Sequence, residues 1–154
     1  MSTQRIGIFV ATMTGTAEMC AEEIGAALES SGLETETLLM DGLDVGALQS
    51  FDFVVIVSST YGHGDIPDNG QAFFEAVAGA DSLAGTRVAV FGLGDRTYAA
   101  TFCEAGRKWD ALFAEKGASR FAPLLQHDAS SGTLPEDEAG AWAAGWAAQL
   151  RQAA

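Results

Sequence analysis

The sequence predicts a single doubly wound α/β domain, a parallel β-sheet with helices on both faces. Two observations predict it. Short apolar runs alternate along the chain with longer amphipathic stretches. Two of the runs, residues 51–59 and 86–94, are apolar almost throughout, as in strands covered on both sides. Alternating strands and helices imply right-handed crossovers between parallel strands. The length of 154 residues suits one core, so we expect residues 1–154 to form one domain.

The elements of the first half follow from composition and spacing. Residues 5–11 are rich in β-branched side chains, which favours a strand. Residues 16–31 repeat apolar side chains at helical spacing and precede Gly32, a typical helix-ending residue. Residues 34–40 alternate at first and predict a second strand, and the apolar run at 51–59 predicts the third.

The second half continues the same alternation. A helix is expected over 71–80, after a polar, glycine-rich loop, and the fourth strand over 86–94. Large apolar side chains at helical spacing predict helices over about 101–117 and 135–151. Residues 119–126 predict a fifth strand at an edge of the sheet, because the proline inside it cannot donate a ladder hydrogen bond.

The formal net charge of −13 restricts the partners. No Lys or Arg occurs between Arg5 and Arg87, and the same stretch carries thirteen Asp and Glu. Such a surface repels phosphate backbones and anionic membranes, so we expect neither nucleic acid nor membrane as a partner, and instead a basic patch on another protein. The alternative is that the acidity serves solubility alone. With no long apolar segment and no signal-like N-terminus, we expect a cytoplasmic monomer.

The loop after the first strand, TMTGTA (12–17), has the composition of a phosphate cradle. Hydroxyl groups and backbone N–H groups at a helix N-terminus bind anions, and Gly15 lets the backbone approach closely. The loop lacks the lysine of a Walker A motif, so ATP hydrolysis is not expected. A threonine-rich helix cap explains the same residues equally well.

Two further loops offer aromatic rings at strand ends. STYGHG (59–64) places Tyr61 between small residues, and GLGDRTY (92–98) places Tyr98 beside glycines. Ligands of such sheets bind beyond the carboxyl ends of the strands, so the three loops together predict a flat, phosphorylated, aromatic ligand. His127 and Asp128 are neighbours in sequence, which alone makes no site, and the sequence shows neither a metal cluster nor a catalytic set.

Three stretches carry a family resemblance: TMTGTAE (12–18), SSTYGHGDIPDN (58–69) and FGLGDRTY (91–98). They resemble, in order, the phosphate loop and the two isoalloxazine loops of flavodoxins and of the FMN domains of diflavin reductases such as cytochrome P450 reductase and sulfite reductase. The ending LPEDEAGAWAAGWAAQL (134–150) is similar to short-chain, MioC-type flavodoxins. The resemblance implies a flavodoxin-like three-layer sandwich, a five-stranded sheet of order 2-1-3-4-5, and FMN as cofactor.

The resemblance also implies roles for individual residues. Tyr61 and Tyr98 would flank the isoalloxazine ring, Gly62 would rotate its carbonyl toward flavin N5, and Asp128 would contact the flavin. The loop at 12–17 would hold the phosphate. In full, the residues expected to bind FMN are Thr12, Met13, Thr14, Gly15, Thr16, Ala17, Ser59, Thr60, Tyr61, Gly62, His63, Gly64, Leu93, Gly94, Asp95, Tyr98, Phe102, Cys103 and Asp128.

The function implied by the resemblance is electron transfer without catalysis of its own. The chain would cycle between semiquinone and hydroquinone, carrying single electrons from a basic-surfaced, NADPH-dependent flavodoxin reductase to an acceptor protein. The alternatives are a flavin-dependent NAD(P)H or quinone reductase, or the FMN module of a larger diflavin reductase. A phosphoacceptor receiver shares the architecture, but it would need an Asp where this chain has Ser58 and Ser59.

Overall fold

A computed structural model describes residues 5–12, 15–60, 64–95 and 102–152, without the side chains of residues 151 and 152. Within these ranges the strands are β1 (Arg5–Ala11), β2 (Glu34–Leu39), β3 (Phe53–Ser58), β4 (Arg87–Gly94), β5 (Ser119–Arg120) and β6 (Leu125–Asp128). The helices are α1 (Thr16–Ser30), α2 (Asp68–Ala78), α3 (Glu104–Glu115) and α4 (Pro135–Gln152), with short 3₁₀ turns at Val45–Ser50 and Ala129–Ser131.

The strands form one parallel sheet in the order β2-β1-β3-β4-β5, and β6 also pairs with β4. The predicted fold class and strand order are therefore confirmed. The expected fifth strand is present, but it is divided: Ser119 pairs with Arg87, and Leu125 pairs with Phe91. Pro123 lies in the interruption, where its missing N–H costs the ladder nothing.

Two apolar cores lie on opposite faces of the sheet. Because side chains of a strand alternate between faces, Val55 of β3 belongs to the core beneath α1 and α4, and Ile56 to the core beneath α2 and α3. Every residue of β3 is buried. This two-sided burial explains why β3 is a continuous apolar run in the sequence.

The helix ends follow local chemistry. Gly32, after α1, has a φ of 86°, and the backbone N–H of Leu33 donates to the carbonyl of Leu28 at 3.1 Å, so the predicted glycine stop is confirmed. The helix expected from residue 71 begins earlier, at Asp68, directly after Pro67. In the part of the chain that is described, no helix combines the length and the apolar character that crossing a membrane requires.

Candidate functional site

A cavity of about 470 Å³ opens at the edge of the sheet where the carboxyl ends of β3, β4 and β6 meet the start of α1. Its volume lies in the range of small-molecule sites. Five of the residues expected to bind a cofactor line it: Thr16, Ser59, Thr60, Leu93 and Gly94. The remaining wall is made of His127, Ala129, Gly132, Thr133, Leu134 and Pro135, which belong to the end of β6 and to the loop before α4.

The loop after β1 is held from two sides. Within it, the hydroxyl oxygen of Thr12 accepts a hydrogen bond from the N–H of Gly15 at 3.0 Å. From α2, Asn69 accepts from the N–H of Thr12 at 2.8 Å and donates its amide to the carbonyl of Val10 at 3.2 Å. The side chain of Asn69 therefore fixes the end of β1.

The N-terminus of α1 is open toward the cavity. Gly15, in a left-handed conformation with φ 92°, occupies the cap position, where it has no side chain with which to cap the helix. The alternative of a threonine cap is not tested, because Thr14 lies outside the described residues. The hydroxyl-bearing Thr16 follows at the cavity wall. Backbone N–H groups of a first turn attract anions, so this end of the cavity suits a phosphate.

The end of β3 is anchored to α3 by hydrogen bonds. The indole N–H of Trp109 donates to the hydroxyl of Ser58 at 3.1 Å, and that hydroxyl donates to the carbonyl of Ser59 at 3.0 Å. The hydroxyl of Thr60 accepts from the N–H of Ala105, in the first turn of α3, at 3.2 Å. These bonds give the cavity wall at Ser59 and Thr60 a fixed position.

Gly94 and Cys103 are in close contact at the end of β4. A Cβ atom on Gly94 would lie 2.4 Å from the backbone nitrogen of Cys103, so only glycine fits. The thiol of Cys103 donates to the carbonyl of His127 at 3.3 Å, which ties the start of α3 to β6. Cys103 and Phe102 are both buried and do not contribute to the cavity wall.

His127 and Asp128 lie at the end of β6, at the carboxyl edge of the sheet. The carboxylate of Asp128 accepts hydrogen bonds from the N–H and the hydroxyl of Ser130, at 2.9 and 2.7 Å. His127, to which the sequence assigned no site, lines the cavity and is 1% exposed. Its Nδ1 lies 2.5 Å from Oε1 of Glu138 on α4.

Other expected cofactor ligands take varied positions. Ala17 is buried, so its side chain belongs to the core. Gly64 is buried, and its carbonyl accepts from Lys108 at 2.9 Å. Asp95 is half-buried at the end of β4. Met13, Thr14, Tyr61, Gly62, His63 and Tyr98 lie outside the described residues, and their roles stay predictions.

Sequence reasoning missed the loop after β6. It considered the loops after the first, third and fourth strands, although every parallel strand ends at the same edge of the sheet. The sequence carries one signal: Gly132 lies in a cluster of Ser and Thr, a composition typical of loops. In the described ranges, no group of three or more His, Cys, Asp or Glu could hold a metal ion.

Comparisons with known proteins agree on one family. The family model described as Flavodoxin matches residues 8–142. The chain is 36% identical to flavodoxin YqcA of Escherichia coli K12, over 94% of this chain and 97% of YqcA. It is 35% identical to the MioC protein of the same organism, over 89% of this chain and 92% of MioC. A cysteine-to-alanine mutant of the flavodoxin from Pseudomonas aeruginosa superposes with a TM-score of 0.84 at 33% identity, covering 96% of this chain and 99% of that structure.

Proposed function

The chain belongs to the flavodoxin family, and from that premise we propose that it carries single electrons from a partner reductase to an acceptor protein. FMN, the cofactor of the family, supplies the redox chemistry when bound. The observation that carries the proposal is the cavity at the carboxyl edge of the sheet, with the open N-terminus of α1 at one end.

The described residues fit the two ends of FMN. The first turn of α1, with Thr16 at the wall, suits the phosphate, because backbone N–H groups bind an anion without a nearby lysine. Leu93 and Leu134 add apolar walls for carbon atoms, and Leu134 is 56% exposed as the chain stands. A ligand that covers Leu134 would gain apolar burial. Tyr61 and Tyr98 are proposed to flank the ring.

FMN binding is tested by titrating flavin-free protein with FMN and following flavin fluorescence. We expect one FMN per chain. We expect Thr16→Val to weaken binding by about tenfold, because it removes one hydroxyl from the phosphate end. Thr86→Val, at the opposite edge of the sheet before β4, is the matched control and should bind as the unmodified protein does. Absence of binding at millimolar FMN would overturn the proposal.

The carrier function is tested separately from cofactor binding. Stepwise anaerobic reduction of the FMN-loaded protein should pass through a stage with one electron per flavin. NADPH alone should leave the protein oxidised, and NADPH with a catalytic amount of a flavodoxin reductase should reduce it. Rapid reduction by NADPH without a reductase would instead make the chain an enzyme with its own nicotinamide site.

A further inference from the structure

We propose that His127 is an FMN-binding residue of this chain, whose Nε2 accepts a hydrogen bond from a hydroxyl group of the ribityl chain while Glu138 holds the ring. The inference rests on FMN binding in the cavity. It concerns a side chain to which neither the sequence pattern nor the family resemblance gave a role.

The position of His127 is fixed by the sheet. It pairs in register with Leu93 of the neighbouring strand β4, and both residues line the cavity. The side chain of His127 is 1% exposed, and its carbonyl accepts the thiol hydrogen of Cys103. An imidazole held in this way has little freedom to turn toward solvent.

One ring nitrogen of His127 is satisfied and the other is not. Nδ1 lies 2.5 Å from Oε1 of Glu138. Nε2 is buried and finds no hydrogen-bond partner among the residues that the structure describes. Buried polar atoms of folded proteins nearly always have a partner, so an atom that comes from outside the chain is expected next to Nε2.

The bond to Glu138 determines what Nε2 can do. With a carboxylate beside Nδ1, the neutral form of an imidazole carries its hydrogen on Nδ1 and presents a lone pair at Nε2. The partner must then donate. The ribityl chain of FMN carries hydroxyl groups that donate, whereas an ionised phosphate has no hydrogen to give. The geometry therefore favours the ribityl chain over the phosphate.

The first test compares flavin affinities. Flavin-free protein is titrated with FMN and with riboflavin, which has the ribityl chain and no phosphate. His127→Leu should weaken both flavins by about tenfold, as expected for one lost hydrogen bond. His127→Gln, whose side-chain oxygen can accept, should recover part of the loss. Glu138→Ala should weaken both flavins several-fold, and Asp81→Ala, which removes an exposed carboxylate after α2 at the opposite edge of the sheet, should change neither.

The second test needs no variant and covers the case in which His127→Leu fails to fold. In the ¹⁵N NMR spectrum of the flavin-free protein, His127 should show a hydrogen on Nδ1 and a bare Nε2. Adding riboflavin should shift the Nε2 resonance. An unmoved resonance, unchanged affinities in His127→Leu, or a loss confined to FMN would each overturn the assignment. Failure of the unmodified protein to bind FMN would instead overturn the proposed function.

Discussion

Trp109 is a single side chain that joins the core to the cavity wall. Trp109 of α3 is fully buried against the sheet, and its indole N–H donates a hydrogen bond to the hydroxyl of Ser58, the last residue of β3. A buried hydrogen bond of this kind contributes about 1 kcal/mol and leaves an unsatisfied partner when broken. The two tryptophans of α4 differ from Trp109, because the indole nitrogens of Trp142 and Trp146 are buried and have no hydrogen-bond partner in the described part of the chain.

Replacing Trp109 should therefore cost more than replacing Trp146. Both Trp→Phe changes remove similar volume from a buried site, but only Trp109→Phe breaks a hydrogen bond. We expect Trp109→Phe to lower the free energy of unfolding by about 1–2 kcal/mol more than Trp146→Phe does. Urea unfolding of the flavin-free proteins measures the difference. Equal losses would mean that the bond to Ser58 contributes nothing.

Cys20 on α1 makes stability depend on alkaline pH. Burial, and secondarily the carboxylates of Glu136 and Glu138, raises the pKa of its thiol from 9.0 to about 12. The unfolded chain loses the thiol proton near pH 9 while the folded chain keeps it. The protonated thiol of Cys20 therefore makes its full contribution to the free energy of unfolding below pH 9, and this contribution is lost as the pH rises from 9 toward 12.

The Cys20→Ala variant tests this pH dependence. It has no thiol at position 20 to titrate, so its free energy of unfolding should fall less between pH 8 and about pH 11 than that of the unmodified protein. The comparison between the two proteins cancels the titration of other groups. Parallel pH profiles would show that the thiol ionises equally in both states.

At the scale of elements, two glycines set the distance between α3 and β4. A Cβ atom on Gly106 of α3 would lie 2.9 Å from the Cα of Gly92 on β4, which is closer than real contacts allow. In an open helix, Gly→Ala stabilises by about 1 kcal/mol because glycine loses more backbone entropy. The close contact reverses the sign at Gly106.

The Gly106→Ala variant should lower the free energy of unfolding by about 1–3 kcal/mol, the usual cost of overpacking. Gly145→Ala on α4 is the matched control, since a Cβ atom there meets nothing within 4 Å, and it should stabilise by up to about 1 kcal/mol. Thermal unfolding of both variants gives the comparison. A stabilising effect at both positions would show that α3 can move away from the sheet at no cost.

The sequence predicted the elements well because their signals are local. β1 was predicted with the bounds that it has, Arg5–Ala11, and the glycine stop of α1 lies at Gly32 as expected. The 3₁₀ turn at Val45–Ser50 has no periodic pattern and was missed. The sequence did not predict that the fifth strand is divided, and Pro123 is the only residue that indicated an interruption there.

The candidate site was less predictable because its contacts are distant in sequence. Asn69 holds Thr12 across 57 positions, and no local pattern distinguishes that role from a helix cap. His127 gained a role only when α4 brought Glu138 to its ring and β4 placed Leu93 beside it. Such pairings depend on how the layers pack, which periodicity does not encode.

At the scale of the molecule, charged side chains lie at both edges of the sheet, and the cavity edge carries several exposed carboxylates together with Lys108, which donates to the carbonyl of Gly64. Arg5 and Arg87 begin β1 and β4, and Arg120 of the short strand β5 pairs with Val88 at the start of β4, so these cations lie at the edge opposite the cavity. Arg5 pairs there with Glu36 and Arg120 with Asp110. The cavity edge carries an acidic rim, defined as Glu18, Asp65, Asp68, Asp95 and Asp137.

The acidic rim should steer a basic reductase to the cavity edge, so the rate of electron transfer should depend on salt. Charges of opposite sign accelerate encounter, and added salt screens them over a Debye length of about 8 Å at 0.15 M. We expect the second-order rate constant for reduction by a basic reductase to fall on the order of tenfold between about 0.05 and 0.5 M salt. Stopped-flow measurement of flavin reduction gives this constant directly.

Location of the charge, rather than its total, is tested by two double variants with the same change in net charge. Asp65→Asn with Asp68→Asn removes two exposed carboxylates of the acidic rim and should slow transfer at low salt and flatten its salt dependence. Asp81→Asn with Glu115→Gln removes two exposed carboxylates near the opposite edge, one after the end of α2 and one at the last residue of α3, and should leave the rate close to that of the unmodified protein. If both pairs slow transfer equally, the partner responds to net charge alone. If neither does, docking does not use the acidic rim, and the reductase approaches the flavin through apolar contact.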